Sequence, residues 1–275
     1  MTAFEQIKLE RGSAVAIFDV SSSSATSVQA LVHTFSINST EHFSTIELHA
    51  GFIQHCVESG SLEAALAVFG AFSQTYGTTA SDIHVVIQDL GLDEDAARRV
   101  LKGYFSAWPL VNCHDDPLAT KPLAPASALF ATASLGLMAM FGGQRGTSNY
   151  LDEAEWLLDV YRPLLIDFVA HMSAFLHCES QDKRISFVYS KGMDVLNWLN
   201  KPNSMPDEQY LLSIPVCLPL VGLIQLMHVM VLYKTLGVSP GDLVKRFKVA
   251  VGHSQGIGIA AAFATLTDEQ SFFDV

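Results

Sequence analysis

Short apolar runs alternate with segments of helical periodicity along this chain, and the alternation predicts an α/β protein. The apolar run at residues 14–18 is a strand candidate, and the four serines at 21–24 predict a loop after it. Apolar residues recur at helical spacing in 62–69 and again in 94–101. The N-terminal part of the chain is therefore predicted to be a mixed, mostly helical region.

A connector that contains three prolines lies at residues 116–125. Proline cannot continue a helix or donate to a sheet, so such a segment predicts a boundary between structural units. We therefore expect an N-terminal structural region at 1–125 and a second domain at 126–275.

The second domain is predicted to alternate strands with helices, which is typical of an α/β layer fold. Its first apolar run, 128–141, predicts a buried strand, and the glycines at 142–146 predict a turn after it. Residues 150–176 have a long helical pattern that contains Pro163. We expect this helix to be broken or kinked near that proline.

Residues 211–232 are overwhelmingly apolar and long enough to span a membrane. The run is interrupted by prolines and polar residues, namely Pro215, Pro219, Gln225 and His228. These interruptions favour a helix buried inside a soluble domain. Further along, Ser239 as a cap and Pro240 at the first helical position predict another short helix.

The composition is that of a globular protein, with 49% hydrophobic and 16% charged residues in 275. The net charge of −12 argues against nucleic-acid binding, which normally requires a basic face. The four cysteines are far apart, without the spacing of a zinc site or a disulfide framework. The N-terminus has no secretory signal pattern, so we expect a cytoplasmic protein with reduced thiols.

Residues 252–256 read Gly-His-Ser-Gln-Gly, which has the Gly-x-Ser-x-Gly form of a nucleophile elbow. The preceding residues 247–251 are β-prone and apolar, and 257–264 are apolar and compatible with a helix. The two glycines are needed where strand and helix nearly touch, because no Cβ fits there. Ser254 is therefore the candidate nucleophile.

An elbow serine needs a histidine base, which lies downstream in most such enzymes. None of the ten histidines follows Ser254. His253 adjoins the serine and is expected to pack or hydrogen-bond locally. We interpret His228 as a hydrogen-bonded core histidine and His171 and His177 as solvated helix residues without metal-ligand spacing.

A basic group formed by Lys245, Arg246 and Lys248 lies just before the elbow. Such a group could attract coenzyme A phosphates or an acidic carrier protein. The charge pattern alone favours a solvated helix end.

Several segments in order resemble one family. They are residues 138–144, with the sequence Met-Ala-Met-Phe-Gly-Gly-Gln, then 199–202, 210–215, 219–226 before His228, 237–241 and the elbow at 252–256. Together they resemble the N-terminal acetyltransferase domain of the fungal type I fatty acid synthase β subunit, which is related to the starter-unit acyltransferases of polyketide synthases. The resemblance covers about 126–275 and is weaker over 1–125. It implies an acyltransferase-like, α/β-hydrolase-like core.

The resemblance also implies roles for individual residues. Ser254 would be the nucleophile, and the backbone amides of Gln255 and Gln144 would form the oxyanion hole. Substrate binding is implied for the glycines around them and for the residue beside the nucleophile: Gly142, Gly143, Gly252, His253 and Gly256. Acyl transfer of this kind proceeds through a serine ester that a thiol then attacks.

The substrates that the resemblance implies are acyl-CoA as donor and the phosphopantetheine of an acyl carrier protein as acceptor. No bound cofactor and no metal are expected. The implied partners are the acyl carrier protein and other fatty acid synthase domains or subunits, with neither nucleic acid nor membrane among them.

Two departures from the family pattern affect these expectations. The family's turn has glycine directly after the glutamine, whereas this chain has Arg145, which would be strained if the position requires a positive φ. The family's histidine base and small second subdomain follow the elbow and would lie beyond Val275. We therefore expect a truncated portion of the domain, with a core that is incomplete at its C-terminus and weak or absent activity of its own.

Two other functions stay open at this point. A serine hydrolase of the α/β class shares the elbow but passes the acyl group to water. A non-catalytic or partner-dependent fragment of a split synthase would receive its histidine from another chain. The Gly-Gly-Gln turn and the lack of a downstream acid and histidine favour acyl transfer over hydrolysis.

Overall fold

The computed structural model describes residues 3–35, 43–78, 82–112, 136–143 and 150–274. Within it the chain forms two compact units. The N-terminal unit comprises Met1–Ser127 with Val160–Pro163, and the C-terminal unit comprises Ala128–Asp159 with Leu164–Val275. The connector predicted at 116–125 lies outside the described residues.

The N-terminal unit begins with a β-hairpin. Strands β1 (Phe4–Arg11) and β2 (Ala14–Ser21) pair antiparallel. Alternate residues of β2 are buried, which turns one face of the hairpin toward the core. The strand predicted at 14–18 is confirmed, and β1 was not predicted. The loop predicted at 21–24 is wrong, because helix α1 (Ser22–Val32) begins within those serines and the Ser22 amide donates to the Ala3 carbonyl.

Five further helices complete the described part of this unit: α2 (Thr45–Glu58), α3 (Leu62–Tyr76), α4 (Asp82–Asp89), α5 (Glu94–Ser106) and α6 (Trp108–Asn112). The helical patterns at 62–69 and 94–101 are thereby confirmed. Helix α5 starts where the Asp93 carboxylate accepts a hydrogen bond from the Ala96 amide. Helices α2, α3 and α5 enclose an aromatic core that includes Phe52, Phe72, Tyr104 and Phe105.

The C-terminal unit is built on two parallel strands, β3 (Leu137–Phe141) and β4 (Phe247–Gly252). Most of helix α7 (Tyr150–Ser180) also belongs to this unit, and the helix is kinked at Tyr161, where φ is −111° and ψ is 24°. The kink predicted near Pro163 is confirmed, since a proline ring clashes with the preceding helical turn.

The remaining helices are α8 (Val195–Asn200), α9 (Glu208–Leu211), α10 (Ile214–Leu236), α11 (Pro240–Lys245), α12 (Gly256–Thr265) and α13 (Ser271–Asp274), with 3₁₀ turns at Ser186–Val188 and Pro202–Ser204. Helix α11 begins as predicted, because the Ser239 hydroxyl accepts from the Asp242 amide and Pro240 occupies the first turn.

Helix α10 corresponds to the apolar run predicted at 211–232. By length and composition it could cross a membrane, but 56% of an 18-residue apolar stretch of this helix is buried inside the protein. The helix ends at Gly237, which has the left-handed conformation typical of a helix C-terminus. The burial agrees with a core helix.

The prediction that both strands of this unit are buried is wrong. Side chains on one face of the β3–β4 pair are substantially exposed: Met138 52%, Met140 74%, Val249 46% and Val251 37%. Helix α12 covers the other face, where the rings of Phe141 and Phe247 contact Phe263. Among the described residues the sheet has two strands and one covering layer, so the strands are apolar without being enclosed. Residues 128–135 of the predicted strand lie outside the described residues.

The fold is thus mixed α/β and mostly helical, as predicted at that level. The more specific assignment to an acyltransferase-like core stays a prediction.

Candidate active site

A strand–turn–helix unit places Ser254 at the end of the parallel strands. Strand β4 ends at Gly252 and α12 begins at Gly256. Between them Ser254 has φ of 55°, and among the described residues other than glycine it alone has a positive φ. A left-handed serine is energetically unfavourable, and its presence on a tight turn is the geometry of a nucleophile elbow. The strand, turn and helix predicted around this serine are confirmed.

The two glycines of the motif lie where backbone segments touch. A Cβ on Gly252 would lie 2.1 Å from the Gly256 carbonyl oxygen. A Cβ on Gly256 would lie 2.2 Å from the Phe141 carbonyl oxygen. Real contacts to a Cβ are not this short, so a side chain is excluded at both positions. Their predicted structural role is confirmed, and their role in substrate binding stays a prediction.

Residues Gly142 and Gly143, where the sequence predicts the start of a turn after β3, form the opposite wall of the site. Because β3 and β4 are parallel neighbours, the residues that follow them lie side by side. The His253 amide donates to the Phe141 carbonyl at 3.0 Å. A Cβ on Gly143 would lie 2.9 Å from the Ser254 Cβ. The Gly142–Gly143 turn is therefore in contact with the serine, whereas the predicted residues Gln144 and Arg145 lie outside the described residues.

Gln225 of α10 connects this turn to the helical core. Its Nε2 donates to the Gly142 carbonyl at 2.8 Å. Its Oε1 is buried and has no hydrogen-bond partner among the described residues. Gln225 is a polar interruption of an apolar helix and was not among the predicted site residues. That interruption was the available signal, because a polar side chain on such a helix usually has a specific partner.

Gln255 lies at the N-terminus of α12. In the first turn of α12, the amides of Gly256, Ile257 and Gly258 donate to the carbonyls of His253, Ser254 and Gln255. Across the residues that the structure describes, the Gln255 amide donates to no backbone carbonyl. Its N–H group therefore lies at a helix N-terminus, where negative charge is favoured.

The histidines near the site do not bond to the serine. Within the described ranges, the Ser254 hydroxyl has no hydrogen-bond partner, and His253 beside it is exposed. The prediction that His228 is a core histidine is wrong, because its side chain is 47% exposed and its Nε2 lies 2.7 Å from the Glu153 Oε1. His171 and His177 are exposed on α7, as predicted. The described residues thus place a candidate nucleophile on the elbow and place no histidine in hydrogen-bond contact with it.

The basic group before the elbow is consistent with a solvated helix end. Lys245 is exposed in the last turn of α11 and pairs with Asp242. Hydrogen bonds from Lys245 and then Ser239 hold the pKa of the Asp242 carboxyl below its usual value. The charge pattern predicted this arrangement.

The described cysteines are thiols and form no metal cluster with neighbouring residues. Cys56 and Cys217 are buried, and Cys178 is exposed. Burial raises the pKa of the Cys56 thiol to about 12, so this group is inert at neutral pH. In the part of the chain that the structure describes, no group of three or more His, Cys, Asp or Glu side chains could hold a metal ion.

Comparison with known proteins gives a match that begins within β3. Residues 139–275 match the family described as starter unit:ACP transacylase in aflatoxin biosynthesis. The chain is 40% identical over 203 residues to the fatty acid synthase subunit beta of Schizosaccharomyces pombe, an alignment that covers 74% of this chain. It is 36% identical over 203 residues to the subunit of that name from Saccharomyces cerevisiae, with 70% of this chain covered. A fatty acid synthase beta subunit of Emericella nidulans is 33% identical over 193 residues, again with 70% covered.

These relatives are much longer than this chain. The alignments cover 9% of the Schizosaccharomyces pombe and Emericella nidulans proteins and 10% of the Saccharomyces cerevisiae protein. The similarity therefore concerns one small part of each relative.

Proposed function

Because this chain is a relative of the fungal fatty acid synthase β subunits, we propose that it transfers a starter acyl group from coenzyme A to an acyl carrier protein through Ser254. Its residues 139–275 match the starter unit:ACP transacylase family, which supports this proposal. One observation in the structure carries the proposal. The Gly142–Gly143 turn contacts a serine that has φ of 55° on a strand–turn–helix unit.

In the first half-reaction the Ser254 oxygen attacks the thioester carbonyl of acyl-CoA. The carbon–sulfur bond breaks, an ester forms on Ser254, and coenzyme A leaves as the thiol with the proton that the serine gave up. In the second half-reaction the phosphopantetheine thiol of the carrier protein attacks the ester. A new thioester forms, and its proton returns to the Ser254 oxygen. Neither half-reaction changes an oxidation state, and no bound cofactor is proposed.

Both half-reactions pass through a tetrahedral oxyanion. We assign the Gln255 amide as one donor, because it donates to no backbone carbonyl among the described residues and lies at the N-terminus of α12. The second donor is proposed to come from the other wall of the site, at the Gln144 amide that follows the Gly142–Gly143 turn. Removing one such donor typically costs about 10²–10³ in rate.

The tightly packed glycines support a site in which the thioester carbonyl of acyl-CoA can approach the protein backbone, because no side chains lie in between. Gly143 leaves room for the Ser254 side chain, where an alanine would not. We propose that Gly142, Gly143, Gly252 and Gly256, together with His253, form the surface on which the acyl group is held. The family match favours an acyl-carrier thiol as the acceptor, whereas a hydrolase would use water.

The proposal is tested by incubating the full chain with radiolabelled acetyl-CoA and measuring the mass of the intact protein. We expect wild type to gain one acetyl group slowly, because no histidine base is found among the described residues, and Ser254→Ala to gain none. Cys178→Ala is the matched control, because Cys178 is an exposed nucleophile that could be labelled without catalysis. Addition of the phosphopantetheine form of an acyl carrier protein should move the label onto the carrier.

Two results would contradict this function. Release of free acetate that outpaces transfer to the carrier would identify a hydrolase. Label that survives in Ser254→Ala but disappears in Cys178→Ala would show non-enzymatic acetylation of a thiol.

A further inference from the structure

We propose that Gln225 is a positioning residue for acyl transfer, which holds the Gly142–Gly143 turn against Ser254 through the Gly142 carbonyl. The inference rests on the proposed function and adds a residue that touches neither the acyl group nor the reacting atoms. Its basis is the 2.8 Å hydrogen bond from Gln225 Nε2 to the Gly142 oxygen.

The turn has few other described connections. The Phe141 carbonyl accepts from the His253 amide, and this bond joins the ends of β3 and β4. One residue later the Gly142 carbonyl points to α10 and accepts from Gln225. The Gly142 carbonyl oxygen also lies close to Gly256, since a Cβ on Gly256 would be 2.6 Å from it. Gly143 then contacts Ser254. The hydrogen bond from Gln225 therefore holds Gly142, which lies between the last residue of β3 and Gly143, the residue that contacts Ser254.

Helix α10 can fix this bond because it is itself well anchored. The neighbours of Gln225 on both sides, Ile224 and Leu226, are buried, and so is Met227. One turn earlier, a Cβ on Gly222 would lie 2.9 Å from the Ile259 Cδ1 of α12. The same helix therefore contacts the turn that follows β3 and the helix that follows the elbow.

The two ends of the Gln225 amide have different surroundings. Nε2 has a carbonyl partner, and Oε1 is buried without one among the described residues. Rotating the amide by half a turn would place two oxygens against each other at the Gly142 carbonyl, so only one orientation provides the bond. The site therefore requires a hydrogen-bond donor at Gln225 that faces the Gly142 carbonyl oxygen.

Loss of the donor is expected to let the turn move away from Ser254. Displacements near 1 Å at a reaction centre can cost about 100-fold in rate, so we expect acylation of Ser254 to slow by about 10- to 100-fold. The change should appear in kcat, with KM for acetyl-CoA changed less than threefold (an order-of-magnitude expectation for a group that does not touch the substrate).

Two substitutions separate positioning from mere packing. Gln225→Met keeps the length of the side chain and removes the donor at every pH. Gln225→Glu also lacks the donor when ionised, but its protonated form carries an O–H group that can donate to the Gly142 carbonyl. We expect the acylation rate of Gln225→Glu, divided by that of wild type, to rise as the pH falls from about 8 to about 5.5, because the carboxyl group begins to take up a proton in this range. The same ratio for Gln225→Met should not change with pH.

The experiment measures acyl-enzyme formation on the full chain with labelled acetyl-CoA across this pH range, together with hydrogen exchange of the peptide that covers 138–143. Gln54→Met is the control, since Gln54 donates to Glu58 on a helix of the N-terminal unit. We expect faster exchange at the turn in Gln225→Met and wild-type behaviour in Gln54→Met. Thermal unfolding of each variant verifies that the protein is folded.

The outcomes distinguish this inference from the proposed function. If wild type is acylated and Gln225→Met is acylated at the same rate, the inference fails while the function stands. If wild type is not acylated but Gln225→Met exchanges faster at the turn, the function fails while the contact stands. A flat pH ratio for Gln225→Glu would also overturn the inference.

Discussion

Gly143 lies directly against Ser254: a Cβ on the glycine would be 2.9 Å from the serine Cβ and 3.0 Å from the His253 carbonyl oxygen. The two residues come from turns that follow neighbouring parallel strands. Their contact brings a glycine-rich turn and a nucleophile elbow together, and the packing leaves no space for a side chain between them.

Gly143→Ala is therefore expected to displace the turn or the serine and to reduce acylation of Ser254 by about 10-fold or more. The measurement is the rate of acetyl-enzyme formation from acetyl-CoA. Gly258→Ala is the control, because a Cβ on Gly258 meets nothing within 4 Å and this residue lies one turn beyond the elbow. Equal rates for Gly143→Ala and wild type would show that the contact is not needed.

The backbone of Ser254 gives a prediction about stability that is independent of chemistry. A residue with a side chain in the left-handed region costs about 1–2 kcal/mol, and glycine avoids this cost. Because Ser254 has φ of 55°, Ser254→Gly should raise the free energy of unfolding by about 1 kcal/mol relative to Ser254→Ala. Both variants should lose acylation.

Denaturant unfolding of the two variants checks this expectation. Alanine is the appropriate reference, since both substitutions remove the hydroxyl and differ only in the Cβ. Equal unfolding midpoints would show that the turn relaxes when the hydroxyl is removed.

The N-terminal unit offers a matched pair of helix glycines. A Cβ on Gly103 of α5 would lie 2.2 Å from the Ala50 carbonyl oxygen of α2, whereas a Cβ on Gly70 of α3 meets nothing within 4 Å. Gly103→Ala must separate two packed helices and should destabilise the unit by about 1–3 kcal/mol. Gly70→Ala should stabilise it by about 0.5–1 kcal/mol through helix propensity.

Hydrogen exchange of the α2 and α5 peptides measures both effects within this unit. A Gly103→Ala protein with wild-type protection of α2 would show that the helices can separate without cost. A destabilising Gly70→Ala would indicate a contact at that surface.

Local signals in the sequence predicted the parts of this structure that depend on neighbouring residues. The Gly-His-Ser-Gln-Gly motif predicted the turn at Ser254, and the apolar residues before and after it predicted the strand and the helix. Pro163 predicted a kink and Ser239 a helix start for similarly local reasons. Strand β1 was missed because charged residues at Glu5, Lys8 and Glu10 interrupt its few apolar positions.

The remaining features depend on which segments meet in space. Apolar composition predicted burial of β3 and β4, but burial requires a layer on both faces, and the described residues supply one. His228 lies on an apolar helix, yet its direction toward Glu153 follows from how α7 and α10 pack. The partnership of Gln225 with Gly142 joins residues far apart in the chain, so no spacing rule could predict it.

His49 is expected to make the stability of the N-terminal unit depend on pH. Its side chain is 1% exposed and stacks on Phe18, with ring centroids 4.3 Å apart, and its Nε2 has no partner among the described residues. Burial lowers the pKa of His49 to about 4, only partly offset by a hydrogen bond to the Val68 backbone. The neutral ring is therefore the folded form.

The unfolded chain binds a proton at His49 near pH 6.5, whereas the folded protein binds it only near pH 4. Stability from this group is complete above pH 6.5 and is lost as the pH falls from 6.5 to 4. The expected loss between pH 7.5 and pH 5 is about 2 kcal/mol in the free energy of unfolding. Urea unfolding at several pH values, followed by exchange of the α2 peptides, measures it.

Carboxyl groups also titrate at low pH, so the comparison needs variants. His49→Phe keeps a planar ring against Phe18 and removes the titrating group. It should reduce the pH dependence of the free energy of unfolding between about pH 6.5 and about pH 5, because the His49 pKa shifts from 6.5 to about 4 on folding. His177→Gln replaces an exposed histidine and should retain the wild-type dependence. If His49→Phe loses stability with pH as steeply as wild type does, the buried ring is not the source of the acid sensitivity.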